Sequence, residues 1–423
     1  MGIVKTRLRN GLTVIIKEVH TAPVATFWVW YRVGSRNERN GHTGISHWVE
    51  HMQFKGTTAF PEDEAERAIS RVGGMWNAMT WLDWTAYFET VPADQIDLAL
   101  RLEADRMVNC RYSKRDVESE RTVIISERQG SENQPLFLLS EEVQAAAFRV
   151  HPYHHEVIGD QVDIETMTRD DLQDHYRTYY APNNAIAVAV GDFRSGPMIK
   201  RIRELFGPHA KGPQIPDFVR PEPRQRGERR VHLEGDGQTS YLEVAYHAPS
   251  ALDGDFFSLL VLDSVLAGPS TLNLFGGGIG NKTSRLYKAL VLPELAASVS
   301  GSLAATVDPF LYSISCTVRE GRSPDEVESA LESELQRAMD ETLTRAELDK
   351  AIKQAKAMFA YSAESVSNLG FWYGFAEVLV DSIWFSDYIQ RLSAVTPADV
   401  QRVARKVLAK TNRTVGHYIA KST

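Results

Sequence analysis

The residues best suited to chemistry in this 423-residue sequence stand in the run His47-Trp48-Val49-Glu50-His51. On a helix, residues four apart lie on one face about one turn apart, so the imidazoles of His47 and His51 could bind one metal ion. Glu50 lies on nearly the same face, where its carboxylate could act as a general base beside that metal. Imidazole and carboxylate ligands with one open position are typical of catalytic zinc. The run therefore predicts a Zn²⁺ site, although two histidines four apart also occur by chance on solvated helices.

A third ligand must come from elsewhere in the chain, and residues 115–130 hold several carboxylates. Glu120 and Glu127 are seven residues apart, so on a helix they share a face two turns apart. The stretch 123–125 between them is apolar, which indicates a helix that is buried on at least one side. Glu127 is therefore a candidate ligand. Spacing alone leaves open the alternative that both glutamates belong to a solvated helix face.

The elements that would position these residues follow from hydrophobic periodicity and β-branched content. Residues 11–33 are strand-like, and residues 44–57 follow as a helical stretch that carries both histidines. The rest of the N-terminal half predicts helices over 62–72, 93–108, 115–150 and 168–180, a strand pair over 76–90 and a buried strand over 185–190. This mixture of helices and strands predicts an α+β fold.

Two domains are expected, because 423 residues exceed what one hydrophobic core usually holds. Residues 206–230 contain five prolines among Arg, Lys and Gly, a composition typical of an extended linker. We predict an N-terminal domain that carries the zinc site over residues 1–205, the linker over 206–230 and a C-terminal domain over 231–423.

The two halves also resemble each other in one helix–strand unit. Thr168 opens a helical stretch that runs to Asn184, and Thr396 opens a similar stretch that runs to Asn412. The two copies are offset by 228 residues at both ends (396 − 168 and 412 − 184). Threonine is a favoured helix N-cap, and a strand-like stretch follows each helix. The repeat indicates that the two domains are homologous copies of one α+β unit.

Longer stretches around these residues resemble a known family. The matching stretches are Gly34–Glu38, Thr43–His51, Gly73–Ala78, Thr85–Tyr87, Glu120–Glu127, His151–Tyr153 and Ala181–Asn184. Through them the chain resembles the pitrilysin-like, inverted-motif (M16-type) zinc peptidases, and most closely their short two-domain bacterial and processing-peptidase branch. The resemblance spans the chain and is strongest over residues 8–192. It implies two homologous domains, each with an antiparallel-rich sheet covered by helices, which form one half of a clamshell chamber around a short or unfolded peptide.

The resemblance also implies roles for individual residues. In the family the third ligand follows the second histidine by about 76 residues, which is the step from His51 to Glu127 (127 − 51 = 76). Glu127 is therefore the expected zinc ligand and Glu120 a catalytic-site carboxylate that supports the metal from behind. Asn77 and the backbone of Ala78 are expected to hold the substrate as an added β-strand.

One part of the family's active site is missing from the sequence. Active members use an Arg/Tyr pair from a second homologous unit, whereas Val291 and Ser298 stand at the corresponding positions here. Without this pair the oxyanion of the reaction would lack donors that contribute several kcal/mol. The resemblance therefore predicts a heterodimer in which a homologous partner subunit supplies the Arg and Tyr.

Composition excludes some other classes of protein. The formal net charge of −8 argues against nucleic acid or an anionic membrane surface as a partner. Cys110 and Cys316 lack metal-ligand spacing and are expected to be free thiols. No signal peptide or membrane-spanning run is visible, so we expect a cytoplasmic location, or a periplasmic one if a signal peptide was removed.

Three alternatives to the peptidase remain. A member of the same fold without catalytic activity would serve as a scaffold or core subunit of a larger complex. A separate metal could bind the cluster formed by His151, His154 and His155. The glycine run 276–280, followed by Asn281 and Lys282, suggests a phosphate-binding loop, but it lacks the eight-residue frame of a P-loop.

Overall fold

A computed structural model describes residues 2–216, 220–269, 272 and 280–421. The strands are β1 (Val4–Arg7), β2 (Thr13–Glu18), β3 (Val24–Tyr31), β4 (Met75–Thr80), β5 (Thr85–Pro92), β6 (Ala185–Gly191), β7 (Arg229–Asp236), β8 (Tyr241–His247), β9 (Ala296–Leu303), β10 (Leu311–Val318) and β11 (Arg413–Lys421). The α-helices are α1 (Ile45–Met52), α2 (Glu64–Arg71), α3 (Ile96–Asn109), α4 (Lys114–Glu132), α5 (Pro135–Ala147), α6 (Gln161–Thr166), α7 (Arg169–Tyr179), α8 (Ser195–Phe206), α9 (Phe256–Leu266), α10 (Pro324–Asp340), α11 (Arg345–Ser362), α12 (Val366–Leu379), α13 (Ser382–Ala394) and α14 (Pro397–Val407).

The chain forms two compact units. Unit 1 comprises Met1–Gln129, His155–Val219 and Ala363–Phe385, and unit 2 comprises Gly130–His154, Arg220–Ser362 and Ser386–Thr423. The contiguous domains expected from the sequence, 1–205 and 231–423, stay a prediction. The compact units are not contiguous, since Gly130–His154 belongs to unit 2 and Ala363–Phe385 to unit 1. Between Gly207 and Glu228 the described residues contain neither helix nor strand.

Unit 1 is built on a six-stranded sheet in the order β1-β2-β6-β3-β5-β4. Strands β2 and β6 pair in parallel, and the other neighbours are antiparallel. The central strands β3 and β6 are almost entirely buried, since every residue of β6 is buried and β3 contributes Trp28 and Trp30 to the core. Helices cover this sheet, so the predicted α+β fold with helix-covered sheets is confirmed.

Unit 2 repeats this topology with a five-stranded sheet in the order β7-β11-β8-β10-β9. This order matches β2-β6-β3-β5-β4 strand for strand, and the pair β7–β11 is the parallel one. The predicted repeat is also visible in helices α7 and α14, which both begin with a capping box, from Thr168 and from Thr396.

Each unit packs a helix from the other half of the chain against its sheet. Helix α12 belongs to unit 1, where Gly370 and Gly374 lie against the indole rings of Trp28 and Trp30. A Cβ atom at Gly374 would stand 2.0 Å from Trp30 Nε1, so only glycine allows this approach. Helix α5 belongs to unit 2 and packs against β11, β8 and β7.

The helical pattern expected over residues 115–150 is two helices rather than one. Gln134 is extended and Pro135 occupies the first turn of α5, so α4 ends before it. Proline lacks the N–H that a continuous helix needs, and it favours the first helical position. Among the described residues, no helix has both the length and the apolar character needed to cross a membrane.

Candidate functional site

Helix α1 is held in place at its N-terminus by local polar contacts. Gly44 has a φ of 83°, and a Cβ atom there would lie 2.3 Å from the carbonyl oxygen of Ile158, so glycine is required. The backbone N–H groups of Gly44 and Ser46 each donate to the carboxylate of Glu38 at 2.8 Å. The Glu38 carboxylate thus takes the place of a side-chain N-cap. It also lies at the positive end of the helix dipole, where a carboxylate stabilises the helix.

The apolar face of α1 fixes its rotation and turns the histidines toward α4. Trp48 and Val49 are fully buried, and the guanidinium of Arg121 on α4 lies 4.7 Å from the ring of Trp48. His47 Nε2 and His51 Nε2, one helical turn apart, are separated by 3.2 Å. Burial and the neighbouring His51 lower the pKa of His47 to about 3, so its imidazole is neutral and free to bind a cation.

Helix α4 brings two carboxylates to these histidines. Glu127 Oε2 lies 3.6 Å from His51 Nε2 and 3.9 Å from His47 Nε2. One ligand atom from each of the three residues falls within 4.8 Å of the others. Glu120 Oε1 accepts a hydrogen bond from His51 Nδ1 at 2.8 Å, which leaves Nε2 of that ring for a metal.

These distances fit one tetrahedral ion. Two nitrogens about 2.0–2.1 Å from a zinc ion stand about 3.3–3.4 Å apart at the tetrahedral angle. The observed 3.2 Å between the two imidazole nitrogens is close to that value, and the Glu127 oxygen, at 3.6 and 3.9 Å from them, needs to move by about half an ångström. The structure thus brings together His47, His51 and Glu127, with Glu120 behind them.

Glu50 lies beside this group on the same helix and is held by β4. Thr80 Oγ1 donates to Glu50 Oε2 at 2.7 Å. Burial raises the pKa of Glu50 to about 7, although the Thr80 hydrogen bond and His51 favour its charged form. A carboxyl group with a pKa near neutrality can both take and release a proton, as a general base requires.

Strand β4 also carries the two residues expected to bind substrate. It is the terminal strand of the unit 1 sheet and pairs with β5, with Asn77 opposite Phe88 and Ala78 opposite Tyr87. Asn77 is exposed and Ala78 is buried, so the two side chains point to opposite faces of the sheet. A terminal strand offers backbone groups to which an extended peptide can pair.

Sequence reasoning gave no role to two side chains that contact these residues. Thr80 binds Glu50, and Lys55 Nζ lies 2.8 Å from Glu120 Oε2. The spacing of both residues could have indicated a place near the site. Lys55 is four residues after His51, and Thr80 shares a strand face with Ala78. The role of each depends on a partner that is distant in sequence.

Known proteins are similar to this chain in sequence and in fold. The profile of the family "Insulinase (Peptidase family M16)" matches residues 13–161, and that of the "Peptidase M16 inactive domain" matches residues 166–355. The zinc protease PqqE of Helicobacter pylori is 30% identical over 96% of this chain and 90% of its own length. The chain belongs to peptidase family M16. The predicted family is therefore confirmed.

Other M16 relatives extend the comparison. A protein of Arabidopsis thaliana named "probable mitochondrial-processing peptidase subunit beta" is 26% identical over 95% of this chain and 76% of its own length. The crystal structure of a protease from Helicobacter pylori superposes with a TM-score of 0.92 at 27% identity and covers 99% of both chains. A Pseudomonas fluorescens M16 inactive-domain structure has the same fold, with a TM-score of 0.89 at 15% identity, and covers 100% of this chain and 99% of its own.

The rival histidine cluster is not among the candidate ligand groups in the described part of the chain. Among the described residues, His151, His154 and His155 do not converge with other ligands within 4.8 Å. His151 Nε2 instead lies 3.1 Å from Asp308 Oδ2, and His155 Nδ1 contacts the carbonyl oxygen of Glu156 at 3.0 Å. The glycine run from Gly276 lies largely outside the described residues, so the phosphate-loop hypothesis has no structural counterpart to compare.

Unit 2 holds the only other such ligand group in the described part of the chain, formed by Asp325, Glu328 and His417. Arg230 Nη2 lies 2.5 Å from Glu328 Oε1, and His417 Nε2 lies 2.8 Å from Glu328 Oε2. The cationic guanidinium already neutralises this carboxylate, so the group is an ion-pair network. Ser298, at the expected tyrosine position, lies on β9 and its hydroxyl contacts Thr317 Oγ1 at 2.9 Å.

Proposed function

We propose that this chain is the zinc-bearing subunit of a metalloendopeptidase that hydrolyses peptide bonds of short or unfolded peptides. The observation that carries the proposal is the convergence of His47, His51 and Glu127, with the buried Glu50 beside them. A relative that is 30% identical over almost the whole chain is named a zinc protease, which supports the same chemistry.

In the proposed mechanism, Glu50 and Thr80 have separate roles beside the bound zinc. Bound zinc would supply Lewis-acid polarisation of the scissile carbonyl and acidify water. Glu50 Oε1 takes the proton of the attacking water, while the Thr80 hydroxyl holds Oε2 and so orients the carboxylate. The same carboxyl group then delivers the proton to the leaving amine.

Substrate class follows from the strand that faces the site. A peptide that pairs with β4 beside Asn77 and Ala78 must be extended. A folded protein hides its backbone groups in its own helices and sheets, whereas a short or unfolded peptide offers them freely. The proposed substrates are therefore peptides in extended conformation, whose sequence preference is a separate question.

We also propose that activity requires a homologous partner subunit. Val291 and Ser298 cannot donate the charged and phenolic hydrogen bonds of an Arg/Tyr pair. A relative named as a "subunit beta" supports an assembly of related chains. The partner would bring Arg and Tyr to stabilise the oxyanion and would not need its own zinc ligands.

The experiment compares Glu50→Gln with Glu66→Gln, an exposed glutamate of α2. Zinc content per chain and hydrolysis of an unstructured fluorogenic peptide are measured, with the chain alone and with a co-purified homologous subunit. We expect both variants to retain zinc and only Glu50→Gln to lose hydrolysis, by about 10²–10⁴-fold.

The outcomes separate the parts of the proposal. Wild-type activity in Glu50→Gln would refute Glu50 as the base. Absence of zinc from the wild-type chain would favour the scaffold alternative. Full hydrolysis by the isolated chain would refute the partner while leaving the zinc site intact.

A further inference from the structure

Unit 2 contains a cavity whose lining is strongly basic. It has a volume of about 760 Å³ and is lined by Arg149, Pro223, Arg224, Gln225, Arg226, Arg229 and Thr411. Four of these seven residues are arginines, and none is acidic. We call it the arginine cavity. Such a concentration of positive charge stands out in a chain whose formal net charge is −8.

The arginines of this cavity are not neutralised by carboxylates. In the described ranges, no carboxylate oxygen lies within 4.0 Å of the guanidinium of Arg149, Arg224 or Arg226. Arg229 donates from Nη1 to the carbonyl oxygens of Ala146 and Ala147, which carry no full charge. Like charges that share a cleft repel one another, so an anion would stabilise this arrangement.

The neighbouring acids are committed elsewhere. The carboxylate of Glu222 accepts hydrogen bonds from the backbone N–H groups of Arg149 and Val150 at 2.8 and 2.9 Å. Glu228 pairs with Arg230 at 2.6 Å and also with Arg413. Both carboxylates thus lie near the cavity, but in the part of the chain that the structure describes neither forms an ion pair with a guanidinium that lines it.

Gln225 supplies a second, independent observation. Its side chain is buried and lines the same cavity, and its Nε2 donates to the carbonyl oxygens of Gly227 and Arg413 at 2.9 and 2.7 Å. Its Oε1 is buried and accepts no hydrogen bond from the described residues. A buried acceptor without a donor costs about 1–3 kcal/mol, so a ligand that carries an O–H or N–H would complete it.

We propose that the arginine cavity binds a small phosphate-bearing anion with more than one negative charge. Guanidinium groups present planar forks of donors that match phosphate oxygens, and several of them favour a multiply charged ligand over a single ion. The volume of the cavity falls within the range of small-molecule sites, about 300–1,000 Å³. This inference is independent of the proposed peptidase function, because the zinc ligands belong to unit 1.

The test is calorimetric titration of the full zinc-loaded chain with inorganic pyrophosphate at fixed ionic strength. The variant is Arg224→Gln/Arg226→Gln, and the matched control is Arg9→Gln/Arg194→Gln, which removes the same charge from exposed positions of unit 1. We expect one pyrophosphate per chain, with a Kd at least about tenfold higher in the cavity variant and unchanged in the control. Because both variants keep the zinc ligands, pyrophosphate bound to zinc would not differ between them.

Three results would overturn the proposal. Equal affinity in both double variants would show that the anion binds elsewhere. Citrate that binds as tightly as pyrophosphate would replace phosphate by carboxylate as the recognised group. Sulfate that binds with the same affinity as pyrophosphate at the same ionic strength would indicate an adventitious ion only.

Discussion

The two units have the same strand order but opposite chemistry at corresponding helices. Helix α1 of unit 1 carries His47, Glu50 and His51 toward α4, whereas every residue of α9 in unit 2 is buried and Asp263 is its only ionisable residue. A fold can thus be duplicated while its reactive groups are kept in one copy only, because the sheet and its helices do not depend on the ligands.

The ligand helices show the same contrast in more detail. Ser113 and Thr344 each accept, at 3.1 and 3.3 Å, the backbone N–H three residues further on, at the start of α4 and of α11. With this offset of 231 residues (344 − 113), Glu120 corresponds to Ala351 and Glu127 to Met358. Both residues of unit 2 are buried. Apolar packing between α9 and α11 occupies the place that the candidate metal ligands have in unit 1.

The first prediction tests the contrast between the units by placing methionine, the residue at position 358 of unit 2, at the corresponding position 127 of unit 1. Glu127→Met removes the third ligand atom, so we expect zinc content to fall from about one per chain to near zero and hydrolysis to fall at least about a thousandfold. Zinc analysis and peptide hydrolysis measure the two effects. Glu118→Met, an exposed position on the same helix, is the control. Retention of tightly bound zinc in Glu127→Met would show that Glu127 is not a metal ligand, so that this position does not distinguish the two units.

The second prediction concerns the helices that the two halves exchange. In unit 1, Gly374→Ala places a methyl group 2.0 Å from Trp30 Nε1, and the indole is packed too tightly to move. We expect the free energy of unfolding to fall by about 3 kcal/mol. Gly416→Ala in unit 2 meets the flexible methyl groups of Val143 and Leu139, so we expect a smaller loss, about 1–2 kcal/mol.

Urea unfolding followed by tryptophan fluorescence measures both losses. Gly196→Ala, on helix α8 with open space around it, is the control and should be neutral or slightly stabilising. An equal, small effect at Gly374 and Gly416 would mean that the two exchanged helices pack with similar tolerance. The two units would then be alike in how tightly these helices pack as well as in strand order.

The third prediction tests the support of the metal ligands. Lys55 lies 2.8 Å from Glu120, which in turn lies 2.8 Å from His51. Lys55→Met leaves the Glu120 carboxylate without its cation, and we expect zinc affinity to fall about tenfold. Competition with a chelator measures that affinity without relying on activity. Lys200→Met on α8 is the control, and a drop of the same size there would assign the effect to net charge.

More of the candidate site than of the helix–sheet packing can be predicted from the sequence. The i, i+4 histidines and the threonine caps of α7 and α14 are local features, so their spacing defines them. The break between α4 and α5 also had a local signal in Pro135, although the apolar pattern continues across it. The exchange of α5 and α12 had none, because a periodic apolar face shows that a helix is buried but not which sheet covers it. The contacts of Thr80 with Glu50 and of Lys55 with Glu120 could not be predicted for the same reason, because each partner is distant in sequence.

The smallest predicted effect contrasts two buried glutamates. Burial raises the pKa of Glu50 to about 7 in unit 1, whereas in unit 2 hydrogen bonds from His417 and Arg230 outweigh burial and lower the pKa of Glu328 to about 2. A lowered pKa stabilises the fold above the ordinary value of 4.5, and this stabilisation is lost as the pH falls from there toward 2. Since solvent screens part of the interaction, we expect Glu328→Gln to cost about 1 kcal/mol at pH 7. The difference from wild type should shrink below about pH 4.5, and urea unfolding at pH 7, 4.5 and 3 measures it. A difference that stays constant with pH would mean that the charge of Glu328 contributes nothing, and unit 2 would then owe its stability at this position to packing alone.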